Sequence, residues 1–327
     1  MAEATDAPED PADAVLARAG VAAALADPEA ADPRLLDTVY RVEHDVPVEP
    51  AARVRVTETF TLRSLLRRPR RAVLHLSGPV TVRSCWNIGV DGYDAGTQDA
   101  RRGLFSFSAD YVGFGDSSRP EDGSSVTPLD QVGPLAAVLD RLLAIRDVTV
   151  GIDLVVESVG GAVATQLAAD TARVRSVVLS TIMYSGMSDA ARSILLSPEY
   201  RAFLEGFEDG YLVTDGDYYS QFTGASPPEV GAWFAETQPG HYPTGFFLCM
   251  YEGLPYFDPS VARAPALVLP GPGDFVPVPG DAEALARDYG KDGAELAFVE
   301  TGGHTPRFEA PETAASYWRH VYDFIDV

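Results

Sequence analysis

The chain is short of several residue types, and each shortage removes a class of protein. Its 327 residues include two cysteines, Cys85 and Cys249. Two isolated thiols form neither a disulfide framework nor a zinc-ligand spacing, so a reducing, cytoplasmic compartment and no structural metal are expected. Lysine occurs once, at Lys291, in a polar loop and outside any phosphate-binding Gly-x-x-x-x-Gly-Lys motif. Gly113-Phe-Gly115 has no third glycine to complete a dinucleotide fingerprint, and no cofactor is expected. No apolar run reaches the ~18 residues of a membrane span, and acidic Met1–Pro11 has no apolar stretch of a secretory leader.

Positive charge is also scarce. Lysine and arginine total 25 against 48 aspartates and glutamates, a net charge of −23. A field of that sign repels phosphate backbones and anionic lipid, which argues against nucleic acid and membrane surfaces as partners and for a small-molecule substrate. A homodimer is left open. Arginine in place of lysine, with abundant Ala, Gly, Pro and Asp, is the usage expected of a GC-rich bacterial genome.

What is present is a large apolar fraction, 46% of residues, enough for a sizeable core. Residues 1–12 are expected to be disordered. Residues 13–45, with Val15, Leu16, Ala19 and Val21 at helical spacing, predict one or two helices. Residues 1–50 are thus read as an N-terminal extension. From residue 52 the period changes to two, as in a half-buried strand over 53–62. Short apolar runs follow at 72–76, 104–108, 152–156, 174–179, 266–270 and 296–299. Helical segments at 129–145, 160–170, 280–289 and 311–325 lie between or after them. Strands alternating with helices predict an α/β fold, a mainly parallel doubly wound sheet whose strand carboxyl ends carry the ligand site. Residues 51–183 and 263–327 form this core. Residues 184–262, rich in aromatics and with no clear sheet strand, are read as a mostly helical cap. Ser188–Leu196 and Pro228–Glu236 are candidate short helices within it.

The chemistry concentrates at predicted strand ends. In Leu154-Val-Val-Glu-Ser-Val-Gly-Gly-Ala162 a strand must turn at once into a helix. Gly160, Gly161 and Ala162 are small enough for the flanking backbones to approach. Such a turn projects Ser158 above the sheet, and the helix N-terminus behind it offers N–H groups to an oxyanion. Taken alone, Ser-x-Gly-Gly also fits an ordinary helix N-cap.

This segment resembles the nucleophile elbow, G-x-S-x-G, of the α/β-hydrolase family, with Val156 in place of the first glycine. Asp110-Tyr-Val-Gly-Phe-Gly-Asp-Ser117 resembles the family's D-x-x-G-x-G-x-S loop, which suits tight turns near the site. Leu269-Pro-Gly-Pro-Gly-Asp274 resembles the loop bearing the family's acid, and Thr301-Gly-Gly-His304 the one bearing its histidine. The order Ser158, Asp274, His304 is the family's chain order. The resemblance covers about residues 52–183 and 263–327 and implies the serine-nucleophile branch with an inserted lid.

The roles follow from need. Serine requires a base, His304 can take and return the proton, and Asp274 fixes the imidazole tautomer, with Asp281 as the nearby substitute. Val159 N–H is one oxyanion donor. The family's second donor falls at Pro79, which has no N–H, so either Val80 serves instead or the oxyanion hole is incomplete. Pro79, Trp86, Glu157 and Tyr184 are candidate pocket residues, and Glu208 is expected to be solvated. His44 and His320 are placed in surface elements. The implied function is hydrolysis of an apolar acyl ester, thioester or lactone. The alternatives are an acyl-transfer or cyclising enzyme on the same fold, or a degenerate hydrolase fold that only binds a small molecule.

Overall fold

The computed structural model describes residues 10–48, 51–214, 226–237 and 240–327. Ten strands occur among them: β1 Tyr40–Val48, β2 Ala52–Phe60, β3 Ala72–Leu76, β4 Phe105–Ala109, β5 Ile152–Glu157, β6 Val174–Ser180, β7 Tyr211–Thr214, β8 Gly240–Pro243, β9 Ala266–Leu269 and β10 Glu295–Leu296. Eight form one sheet in the order β1-β2-β4-β3-β5-β6-β9-β10. From β4 to β10 all pairs are parallel, while β1–β2 and β2–β4 are antiparallel. Every residue of β3, β4 and β5 is buried. Helices Val132–Arg146, Gly160–Asp170, Asp281–Asp288 and Pro311–Ile325 pack around the sheet, which explains why the central strands read as continuous apolar runs rather than alternating ones.

Several expectations are corrected. Residues 13–45 are not one or two helices throughout: short helices Asp13–Leu16, Ala19–Ala26 and Pro33–Leu36 give way to β1 at Tyr40. β1 pairs with β2 along its whole length, from Tyr40 opposite Phe60 to Val48 opposite Ala52. Consequently His44 is buried rather than on the surface, bonded through Nε2 to Glu58 at 2.8 Å. Residues 184–262 contain strands after all, since β7 and β8 pair into a small separate sheet. The final strand is shorter than 296–299, covering only Glu295–Leu296. Most of the disorder expected for residues 1–12 lies outside the described residues, but Asp10 and Ala12 are described. Asp10 is ion-paired with Arg146 and Ala12 is fully buried.

The helices expected at Ser188–Leu196 and Pro228–Glu236 are found at Asp189–Leu195 and Pro228–Thr237. Among the described residues no helix is long and apolar enough to cross a membrane. The topology brings four loops together at one edge. Ser77–Val80 follow β3, Ser158 follows β5, Asp274 follows β9, and His304 follows β10.

Candidate active site

Ser158 occupies the sharp turn between β5 and helix Gly160–Asp170. Its φ is +52°, a left-handed conformation uncommon for a residue with a side chain. Such a conformation costs on the order of 1–3 kcal/mol and survives only when its surroundings enforce it. Here Ser158 N–H donates to Ser180 O on β6 at 3.1 Å, and Gly161 N–H returns to Ser158 O at 3.0 Å. The helix can start this close only because of its glycines. A Cβ on Gly160 would sit 3.0 Å from Tyr111 Oη, 3.3 Å from Ser77 O and 3.5 Å from Val156 Cβ. The tight contacts are with Tyr111 and Ser77, whereas Val156 beneath the elbow would be at ordinary contact distance, so Val156 does not crowd the turn.

The loop after β3 lies against the nucleophile, since a Cβ on Gly78 would be 3.5 Å from Ser158 Cβ. Its far end is held by Asp110, whose carboxylate accepts Arg83 N–H at 2.7 Å and also pairs with the Arg83 guanidinium. The same carboxylate accepts Asp116 N–H at 3.1 Å, and Ser117 Oγ donates to Asp110 O at 2.9 Å. Gly113 and Gly115 take φ of +95° and +49°. The Asp110–Ser117 loop is thus a brace for the neighbouring backbone, as its turn-forming residues implied.

Asp274 and His304 meet as the chain order suggested. Nδ1 of His304 is 3.0 Å from both carboxylate oxygens of Asp274. That contact leaves Nε2 as the ring nitrogen for proton transfer. Burial alone would push the imidazole pKa down. The adjacent Asp274 charge and its hydrogen bond, with Glu157 and Glu309 farther off, outweigh burial and hold it above the ordinary histidine value. The two loops lie in close contact. Gly273 N–H donates to Gly302 O at 2.8 Å, and Glu309 accepts Gly303 N–H at 2.9 Å. A Cβ on Gly271 would overlap Gly303 O at 2.1 Å. Asp281, the substitute acid, is committed elsewhere: it accepts the N–H groups of Tyr184 and Ser185, each at 2.7 Å.

Ser158 and His304 line one cavity. Of the expected pocket residues, Pro79 and Glu157 line it, and so do Val80 and Val159, the expected oxyanion donors. Trp86 and Tyr184 do not. Trp86 is fully buried behind the site, its ring stacked 4.5 Å from that of His75, and Tyr184 packs on Phe257. Met183, next to Tyr184, lines the cavity, but the half-buried Tyr184 ring turns toward Phe257 and its hydroxyl donates to Asp288 at 3.3 Å. Glu157 is not solvated; it receives Arg307 at 2.6 and 2.9 Å. Glu208 is exposed, as expected. Arg307, fully buried, lies between Trp86 and Phe308, at 3.5 and 3.6 Å from the ring centroids. The sequence reading missed it. It also missed the walls: the three internal methionines, Met183, Met187 and Met250, all line the cavity. Concentration of so scarce a residue was the available signal, because methionine suits an adaptable apolar surface. Of the aromatics in residues 184–262, Phe247 and Tyr256 reach the cavity, while Tyr218, Tyr219 and Phe222 lie outside the described residues.

One cluster among the described residues has the composition of a metal site: Asp10, His44 and Glu58, with ligand atoms within 4.8 Å of one another. Arg146 already neutralises it, pairing with Asp10 and donating to Glu58 at 2.7 Å. Two carboxylates already closed by a guanidinium are more naturally a brace than a metal cradle.

A parallel sheet with a strained serine at the end of a central strand, and a histidine–carboxylate pair across the same cavity, defines the α/β-hydrolase class. The chain belongs to the alpha/beta hydrolase family, whose model matches residues 73–316. It is an enzyme of the α/β-hydrolase type. No curated protein matches it. It is similar in fold to an esterase from Exiguobacterium antarcticum, 14% identical, with a TM-score of 0.64 over 88% of this chain and 100% of that one. A thermophilic esterase from Thermogutta terrifontis is 21% identical, with a TM-score of 0.57 over 88% and 100%. The enol-lactonase from Burkholderia xenovorans is 18% identical, with a TM-score of 0.55 over 86% and 98%.

Proposed function

We propose that the protein is a serine hydrolase that cleaves an apolar acyl ester, thioester or lactone through an acyl-enzyme. Ser158 Oγ attacks the acyl carbonyl as its proton passes to His304 Nε2. The carbonyl oxygen becomes an oxyanion facing the N–H groups of Val159 and Val80. Collapse expels the alkoxide or thiolate, which takes the proton from His304. Water then attacks the acyl-enzyme with His304 as base, releasing the acid and restoring the serine. Asp274 holds the imidazole tautomer and stabilises the imidazolium. Pro79 lines the cavity but has no N–H, so Val80 carries the second donor's role.

The observation that carries this reading is Ser158 at φ +52° sharing a cavity with a histidine bonded to Asp274. The methionine-lined wall supports an apolar acyl group of variable shape. Residues 184–262 act as the cap over it, contributing Met187, Phe247 and Met250. A fluorophosphonate probe followed by intact-mass measurement tests the nucleophile. One adduct is expected on the native protein and none on Ser158→Ala; an adduct that survives the substitution would sink the assignment.

A further inference from the structure

The cavity contains a contrast that the hydrolytic steps do not use. Its walls are largely apolar, yet three hydroxyls on it are buried with no hydrogen-bond partner: Thr81 Oγ1, Thr181 Oγ1 and Tyr256 Oη. An unpaired buried hydroxyl is destabilising, and native structures keep few of them.

Thr181 is the most informative of the three. It is 2% exposed and has φ of +50°. A β-branched residue in the left-handed region is a conformational outlier, and such strain gathers at ligand-binding sites. Glu157 on β5 is paired in register with Ser180 on β6, which places Thr181 directly beside Ser158. The sheet order then decides which part of a substrate it meets. β3 flanks β5 on one side and β6 on the other. Gly78 and Val80, which follow β3, form the oxyanion side, so Thr181 stands on the opposite side of the nucleophile. Among the described residues the cavity lining includes no lysine or arginine, and its one carboxylate, Glu157, is neutralised by Arg307. The group that satisfies these hydroxyls is therefore uncharged.

We propose that Thr181 determines specificity: its hydroxyl, with that of Tyr256, receives an uncharged oxygen substituent on the acyl group, so hydroxy- or oxo-acyl esters are preferred over plain hydrocarbon ones. The inference rests on the hydrolase reading above and names its substrate class.

The test compares kcat/KM for p-nitrophenyl butyrate with that for its 2-hydroxy and 3-hydroxy counterparts, using the full chain. At least one hydroxylated ester should be preferred by about 10-fold, the value of one neutral hydrogen bond near 1.4 kcal/mol. Thr181→Val should bring that ratio close to one, and Tyr256→Phe should lower it, while Thr181→Ser should retain it. Thr165 has an equally buried, unpartnered hydroxyl away from the cavity, so Thr165→Val should leave the ratio unchanged. Valine keeps the β-branch and removes the unpaired hydroxyl, so the melting temperature of Thr181→Val should not fall. Turnover of the plain ester with no preference, or a preference that survives Thr181→Val, overturns the inference alone. No turnover of any of the three esters, together with no fluorophosphonate adduct on Ser158, overturns the hydrolase reading and this inference with it.

Discussion

Three histidine–carboxylate pairs can be compared within this one chain. His304 and Asp274 lie 3.0 Å apart, His75 and Asp99 2.6 Å, and His44 and Glu58 2.8 Å. The two closer pairs do not line the cavity that holds Ser158. His75 sits inside β3, stacked on Trp86, and its partner Asp99 is also bonded to Ser106 and Tyr322. His44 and Glu58 sit between β1 and β2, sealed by Arg146. The short bond is thus no mark of catalysis in itself. What sets His304 apart is its position on a loop beyond a strand's carboxyl end, where one ring nitrogen meets a carboxylate and the ring lines a cavity with a serine.

Substitutions can break or sharpen that comparison. The largest effect is expected at the cavity pair. His304→Ala or Ser158→Ala should lower kcat on p-nitrophenyl butyrate by ~10⁴-fold or more, and Asp274→Asn by about 10⁴-fold. The melting temperature of each should stay near the parent's. The His44–Glu58 pair should respond in the opposite way. Arg146→Met leaves Glu58 as an uncompensated buried charge and should cost about 3–5 kcal/mol in urea unfolding. The folded enzyme should keep its kcat within about two-fold; a lost kcat at unchanged stability would erase the distinction between the pairs.

A smaller effect belongs to the oxyanion side. Val80→Pro removes the N–H assigned as the second donor and should cost roughly 10²–10³-fold in kcat. An unaltered kcat would show that the donor lies elsewhere. The subtlest effect is in pH. Asp274 holds the His304 pKa above its ordinary value, and the base form is the active one. The acid limb of kcat/KM should therefore have its midpoint above about 6.5. Glu157→Gln removes an anion that raises the pKa and leaves the Arg307 charge unpaired, so that midpoint should move to lower pH. No movement would mean that Glu157 acts only as packing.

The sharp turn at Ser158 and the loops bearing Asp274 and His304 were legible because they depend on local backbone needs. Small residues at 160–162 and turn residues at 270–274 and 302–303 leave a sequence trace whatever the rest of the fold does. Other features depend on distant partners. Tyr40, His44, Val46 and Val48 do alternate inward, yet the preceding Ala- and Leu-rich helices masked the change of period until pairing with β2 was seen. His44 was placed on the surface for the same reason. Arg307 looked like an ordinary loop cation, since nothing near it in sequence announces Glu157. The strain at Thr181 left no compositional sign either, because a threonine after a strand is commonplace and its φ is set by β5 and β9 on either side.

The Arg307–Glu157 pair also bears on how the molecule is made. Its members are 150 residues apart in the chain. During synthesis β5 and its serine emerge long before the guanidinium that compensates their buried carboxylate. A nascent chain ending before residue 307 would have to keep the Glu157 carboxylate hydrated, which holds the end of β5 open to water. Closure of the turn that holds Ser158 is thereby coupled to the arrival of residue 307, so the proposed reactivity of that serine should not appear in a nascent chain before the Arg307 segment has emerged.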